Sequence, residues 1–263
     1  MSFSHSFAIM AYKDAPYIER TIESILRQGS DSQIYISTST PNDRIVALSK
    51  NYELPLYVNP EKKGIGGDWE FAMSCATTEL VTLVDQDDIY DSRFGERVLR
   101  AFDSEPNAII AFSNYKELDG EGKLRGGNLT MFIKHVLLLP IRVKRVLRSR
   151  MGKRMILRFG NPICSPSVTY NLNKEITKNL YSDGYSMSLD WAAWLKMAST
   201  EGSFYYLREP LVHHRIHEMT QTSGGIREGV RYKEDLKIFN ELWPGFFAKF
   251  LMRLYKRSYD TNK

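Results

Sequence analysis

Residues Leu80–Tyr90, LVTLVDQDDIY, constrain the chain more than any other stretch. Leu80, Val81, Leu83 and Val84 form an apolar run of the kind that makes a strand buried on both faces. The run stops at Asp85, Asp87 and Asp88. Three carboxylates in four positions repel one another unless something cationic sits among them. A divalent metal with a preference for hard oxygen ligands is the natural partner. In open α/β sheets, the carboxyl end of a buried strand is also where ligands bind. Read alone, the same acids suit a solvated turn that caps the next helix.

The flanking sequence alternates strand and helix patterns. Ser6–Ala11 reads as a first strand, and Asp14 as the N-cap of a helix with Pro16 and Glu19 in its opening turn. Gln33–Ser37 and Leu56–Asn59 read as the next two strands, with a helix between them from about Asp43 to Asn51. Lys62–Trp69, KKGIGGDW, is a Gly-rich turn into a helix, where the backbone can approach a ligand closely and a phosphate is favoured. After the acidic stretch, Arg93–Phe102 is helical and Ala108–Phe112 is a strand. Asp119-Gly120 then signals a hairpin within Tyr115–Leu124. Four strand–helix alternations by residue 112 predict a mostly parallel sheet with right-handed crossovers.

Further along, Trp191, Trp194, Leu195 and Ala198 recur at helical spacing, with Asp190 at the start of that helix. By itself Asp190 is equally a first-turn acid of the sort any helix carries. Phe204–Leu207 and Leu211–His214 read as two short strands, followed by His214-Arg215-Ile216-His217.

From about Ser6 to Thr222 this order of motifs resembles family 2 glycosyltransferases with the GT-A fold, in particular those that build bacterial surface polysaccharides. DQDDIY is similar to their Asp-X-Asp motif. The resemblance implies that Asp85 lies near the ribose and that Asp87, Asp88 and His217 bind Mn²⁺ or Mg²⁺. It implies donor contacts from Tyr12, Asp14, Gly66 and Arg215, the last neutralising the leaving diphosphate. It also implies that Asp190 is the catalytic base. Departures occur where the family carries an Asn after Tyr12 (here Lys13), an Asp after the second strand (here Ser37–Thr40) and a Glu before the base (here Leu189).

Charge is distributed unevenly. The formal net charge is +5, yet Met131–Gly160 holds nine Lys or Arg and no Asp or Glu, so the rest of the chain is net negative. Pro140 splits this segment. Leu139, Val143, Val146, Leu147 and Met151 are expected on one helix face, with Arg142, Lys144, Arg145 and Arg148 around the others. Such a pattern suits an anionic membrane surface, the alternative being a surface helix packed on the body with solvated arginines. The segment has few interleaved aromatics and no nucleic-acid fold signature, so nucleic acid is not an expected partner. Cys75 and Cys164 do not make a disulfide framework. The N-terminus lacks the features of a signal peptide, and no apolar run reaches the length of a spanning helix.

The expectation is therefore an α/β, GT-A-like domain over residues 1–222, with a basic amphipathic insertion at 131–160 and a helical C-terminal appendage at 223–263. The expected activity is inverting transfer from a UDP- or dTDP-sugar to a saccharide acceptor, lipid-linked or free. The expected place is the cytoplasm, at the inner face of the cell membrane. Two rivals are a sugar nucleotidyltransferase and a non-catalytic scaffold. The first would carry a Gly-rich basic signature where this chain has Tyr12-Lys13-Asp14.

Overall fold

A computed structural model of the chain describes residues 3–61, 63–181, 184–217, 229–257 and 259. The described strands form one sheet in the order β3-β2-β1-β4-β8-β6-β9-β5. Its first half is parallel: β1 (His5–Ala11), β2 (Gln33–Thr38), β3 (Leu56–Val58) and β4 (Leu80–Asp85). β8 (Val168–Asn171) then inserts antiparallel between β4 and β6 (Ala108–Leu118), and β6 pairs in parallel with β9 (Ser203–Arg215). Two short strands, β5 (Ile89–Tyr90) and β7 (Val146–Leu147), pair antiparallel with β9.

Alternating side chains of the central strands feed two cores, one on each sheet face. Phe7, Ile9, Leu80 and Val84 pack with α1 (Ile18–Leu26), α2 (Asp43–Asn51) and α4 (Phe94–Ser104) through Ile22, Ile45 and Phe94. Ala8, Val81 and Leu83 pack with α3 (Gly64–Ser74) and α8 (Leu189–Ala198), where Trp191 and Trp194 are fully buried. The tail helices α9 (Val230–Leu242) and α10 (Gly245–Tyr255) add Ile238, Phe239, Leu251 and Met252 to that second core. The described part of the tail thus packs against the core of the domain. The expected boundary at residue 222 and the Gly224-Gly225 break lie outside the described residues.

Several local expectations are corrected. Tyr17, not Asp14, occupies the N-cap of α1, and Lys13 and Ala15 adopt positive φ in the turn before it. β6 continues to Leu118, so the hairpin signal reduces to a turn at Asp119–Lys123 and one bridge between Leu118 and Leu124. β9 is a single strand. Pro210, which has no N–H to give, sits opposite Asn114 where the β6 register shifts.

The basic segment is not one helix. It is divided into α5 (Leu129–Leu137), α6 (Leu139–Lys144), β7 and α7 (Arg150–Met155). Arg145, at φ 61°, ends α6 in a left-handed conformation, and pairing with β9 then takes Val146 and Leu147. Several of its cations are engaged by groups of the protein itself. Arg148 pairs with Glu105, and Lys134 Nζ donates to Tyr115 Oη at 2.7 Å.

Lys153 is fully buried; its Nζ donates to the carbonyls of Thr200 and Gly202 at 2.8 and 2.7 Å. Burial, with Arg150 nearby, lowers its ammonium to about 8. Gly202 stands at φ 101°, and a Cβ there would meet Asn107 O at 2.8 Å, so Lys153 fastens a backbone turn that only glycine fits. Lys153→Met keeps the volume but strands both carbonyls. It is expected to destabilise the fold by about 1–3 kcal/mol, read as a lower urea midpoint at unchanged slope.

Candidate functional site at the carboxyl end of the sheet

The site is assembled where β4 ends. The register pairs Met10 with Asp85, so the end of β1 lies beside the acidic turn, and Tyr12 N–H donates to Gln86 Oε1 at 2.6 Å. The turn reverses at once: Ile89 and Tyr90 of β5 pair with His213 and Val212. That pairing brings the last residues of β9 against the acids.

Three aspartates then take three environments. Asp88 is fully buried. Its Oδ1 accepts Arg215 N–H at 2.8 Å, and His214 Nδ1 lies 3.0 and 3.1 Å from its two oxygens. The carboxylate of Asp88, an expected metal ligand, joins the turn to β9. Asp87 remains half-buried, with Oδ2 at 2.9 Å from His217 Nε2. Asp85, also half-buried, is pushed well above the usual carboxylate range by desolvation, then by Asp88 and Asp87. Burial alone would disfavour the His214 cation, but Asp88, Asp87 and Asp85 outweigh it and push His214 up to about 9. His214 therefore donates as an imidazolium at neutral pH.

Arg215 is 1% exposed. Its Nε donates to Asp87 O and one terminal nitrogen to Asp119 O, both at 3.0 Å, and the guanidinium lies 4.4 Å from the centre of the Tyr17 ring. It braces the acidic turn from behind.

Asp190 lies in the first turn of α8. Its Oδ2 accepts from Asn161 Nδ2 at 2.7 Å, and its Oδ1 from Trp191 N–H at 2.7 Å. Desolvation raises its carboxyl, against the opposing pull of Arg231. The charge of Asp190 also helps to raise Asp85, so the two acids act within one electrostatic neighbourhood. The start of α8 is held from the tail. Glu234 accepts the N–H groups of Ser186, Met187 and Ser188, each at 2.8 Å, and Asp235 accepts Ser188 Oγ at 2.6 Å.

Asn161, Arg231, Glu234 and Asp235 carry no motif and were not anticipated. The i,i+4 pair Arg231–Asp235, 3.7 Å apart, was the one local signal.

At the end of β2, where the sequence has hydroxyls and no acid, a carboxylate arrives from another element. Asp68 of α3 accepts from Ser39 Oγ at 2.7 Å and from Asn59 Nδ2 at 2.8 Å. Gly66 owes its close approach to the chain itself: a Cβ there would lie 3.0 Å from Tyr181 O. Tyr12 is half-buried and Asp14 is exposed in the β1–α1 turn.

Among the described residues, no three His, Cys, Asp or Glu side chains form a cluster able to hold a metal. The adjacent pair Asp87 and His217 still fits an ion that takes its remaining ligands from a diphosphate and water, since Mg²⁺-type sites use only one or two protein groups.

The Asp88–His214 contact is testable through pH. His214→Asn keeps a donor near the Nδ1 position and removes the charge. Because the folded pKa of His214 lies above its ordinary 6.5, the stability its protonation contributes is fully present below 6.5 and lost as pH rises through about 9. The melting-temperature gap between wild type and variant should be wide near pH 6 and narrow by about pH 10. A gap that does not change over that range would remove the imidazolium from this account.

Comparison with known proteins bears on the family and the fold. A sequence profile described as glycosyl transferase family 2 matches residues 6–165. An uncharacterised glycosyltransferase of Nostoc sp. (strain PCC 7120) is 23% identical over 260 residues, covering 93% of this chain and 76% of the relative. The crystal structure of S. aureus TarS residues 1–349 in complex with UDP-GlcNAc superposes with a TM-score of 0.62 at 16% identity, covering 95% of this chain and 70% of that one. The same TarS fragment in complex with UDP gives 0.58 at 14% identity, covering 95% and 69%. With more than half of its length matched by the profile, the chain belongs to glycosyl transferase family 2, and it has a GT-A-like fold.

Proposed function

We propose that this glycosyltransferase moves a sugar from a nucleoside-diphosphate sugar to a hydroxyl of a saccharide acceptor, with inversion at the anomeric carbon. The observation that carries the reading is Asp190: a desolvated carboxylate at a helix start, in electrostatic reach of the acidic turn. The donor would be a UDP- or dTDP-sugar. The TarS neighbour was crystallised with UDP-GlcNAc, which supports a uridine nucleotide.

In this reading the donor lies across the lip of β1 and β4, near Tyr12 and Asp85. A divalent Mn²⁺ or Mg²⁺ held by Asp87 and His217 would neutralise charge on the departing diphosphate. Asp190 accepts the proton of the acceptor hydroxyl as its oxygen forms the new bond to the anomeric carbon. The bond from that carbon to the diphosphate oxygen breaks on the opposite face, and the nucleoside diphosphate leaves with the electron pair. Burial raises the basicity of Asp190 against the opposing pull of Arg231, and the hydrogen bond from Asn161 aims it. Arg215 reaches the donor through its field and through the turn that it fixes.

Two substitutions test the assignment. Asp190→Asn preserves shape but is no base at neutral pH. Donor binding should persist while transfer falls by about 10²-fold or more. Near-normal turnover would return Asp190 to a structural acid at a helix start. Asp87→Ala should remove the Mn²⁺-dependent part of UDP binding in calorimetry, with the fold intact by circular dichroism. Metal dependence like that of wild type in this variant would move the ion elsewhere.

A further inference from the structure

α5 has two faces of opposite character. Met131 packs into the core, and Lys134 points inward to Tyr115, where its ammonium feels the charges of Glu117 and Asp190. Leu138 and Ile141 continue this inner row into α6. The outer row is apolar and uncovered: Leu129, Phe132, Ile133 and Val136 recur at i, i+3, i+4 and i+7, with Phe132 65% exposed. Val143 of α6, 74% exposed, extends it. An amphipathic helix normally turns such a row toward a core. Here the core already has the other row.

The charge around this face narrows what covers it. No Asp or Glu occurs between Glu121 and Glu175. Lys144 and Arg145 are exposed beside Val143; Arg148, exposed as well, pairs with Glu105, and Lys153 is buried. Two copies meeting through this face would bring like charges together. An anionic bilayer takes up apolar side chains and attracts the flanking cations at once.

We propose that the outer face of α5 and α6 is a docking surface for an anionic lipid bilayer, which sets the acceptor side of the site against the membrane. This rests on the glycosyl-transfer reading for the meaning of that side and specifies its acceptor as a lipid-anchored saccharide. The link is α5 itself: its inner Lys134 donates to Tyr115, whose ring lies 6.4 Å from that of His214 beside the acidic turn, while its outer row enters the lipid.

The test is sedimentation of the full chain with vesicles of phosphatidylcholine alone or with about one-third phosphatidylglycerol. Binding to the anionic vesicles is expected, weakened by raised salt and by the neutral composition. The double variant Phe132→Ser/Val136→Ser alters only exposed positions and should lower the anionic-vesicle partition coefficient by about tenfold or more. Arg142→Gln/Lys144→Gln should reduce the salt sensitivity. UDP binding by calorimetry is measured on the same samples: intact UDP binding without vesicle binding overturns the membrane proposal alone, and vesicle binding without UDP binding overturns the transfer reading. Variants that bind vesicles as wild type does, or a lipid-free dimer that Phe132→Ser/Val136→Ser abolishes, would also overturn the bilayer as the occupant.

Discussion

The contact on which the site depends is the buried Asp88 carboxylate, shared between Arg215 N–H and the His214 imidazolium. A lone carboxylate in that position would be strongly disfavoured. Paired, it fastens the β4–β5 turn to the end of β9 across more than a hundred residues of sequence. Everything near it inherits that anchoring. Asp87 is turned toward His217 because its neighbour is fixed, and the Asp87 carbonyl is held by Arg215 Nε. The proximity of Asp85, Asp87 and Asp88, which looked like simple repulsion in the sequence, is relieved first by cations of the protein itself.

The main elements of this arrangement were readable from local pattern. An apolar run ending in acids gave β4 and its turn, and the Trp191/Trp194 spacing gave α8 with Asp190 in its first turn. What could not be read was which aspartate turns inward. That is decided by β5 pairing with β9, a long-range event with no signature in DQDDIY. Glu209-Pro210 hid the continuity of β9, because a bulge opposite Asn114 absorbs the missing N–H. The acid at the end of β2 was invisible for a related reason: Asp68 is supplied by α3, so its place depends on packing and not on sequence position.

The basic segment shows how composition misleads when charges are counted without direction. Nine cations in thirty residues suggested an amphipathic segment, split at Pro140, whose cations all face a membrane or solvent. Folding divides them. Lys134 and Lys153 point inward to Tyr115 and to backbone carbonyls, Arg148 pairs with Glu105, and Lys144 and Arg145 stay in solvent. The left-handed residue Arg145 is the hinge of this division, since it ends α6 and lets Val146 and Leu147 join the sheet.

The tail acts on α8 as a clamp placed far from it in sequence. The N-terminus of α8 is fixed by Glu234 and Asp235, and Tyr259 Oη donates to Asp235 in turn at 2.5 Å. Asp190 itself is held by Asn161, which belongs to the body of the domain. The carboxylate therefore stands at a seam, gripped by the body on one side and by the tail on the other. A pull on the tail helices is transmitted to the start of α8, while the sheet and its acidic turn keep their own bonds.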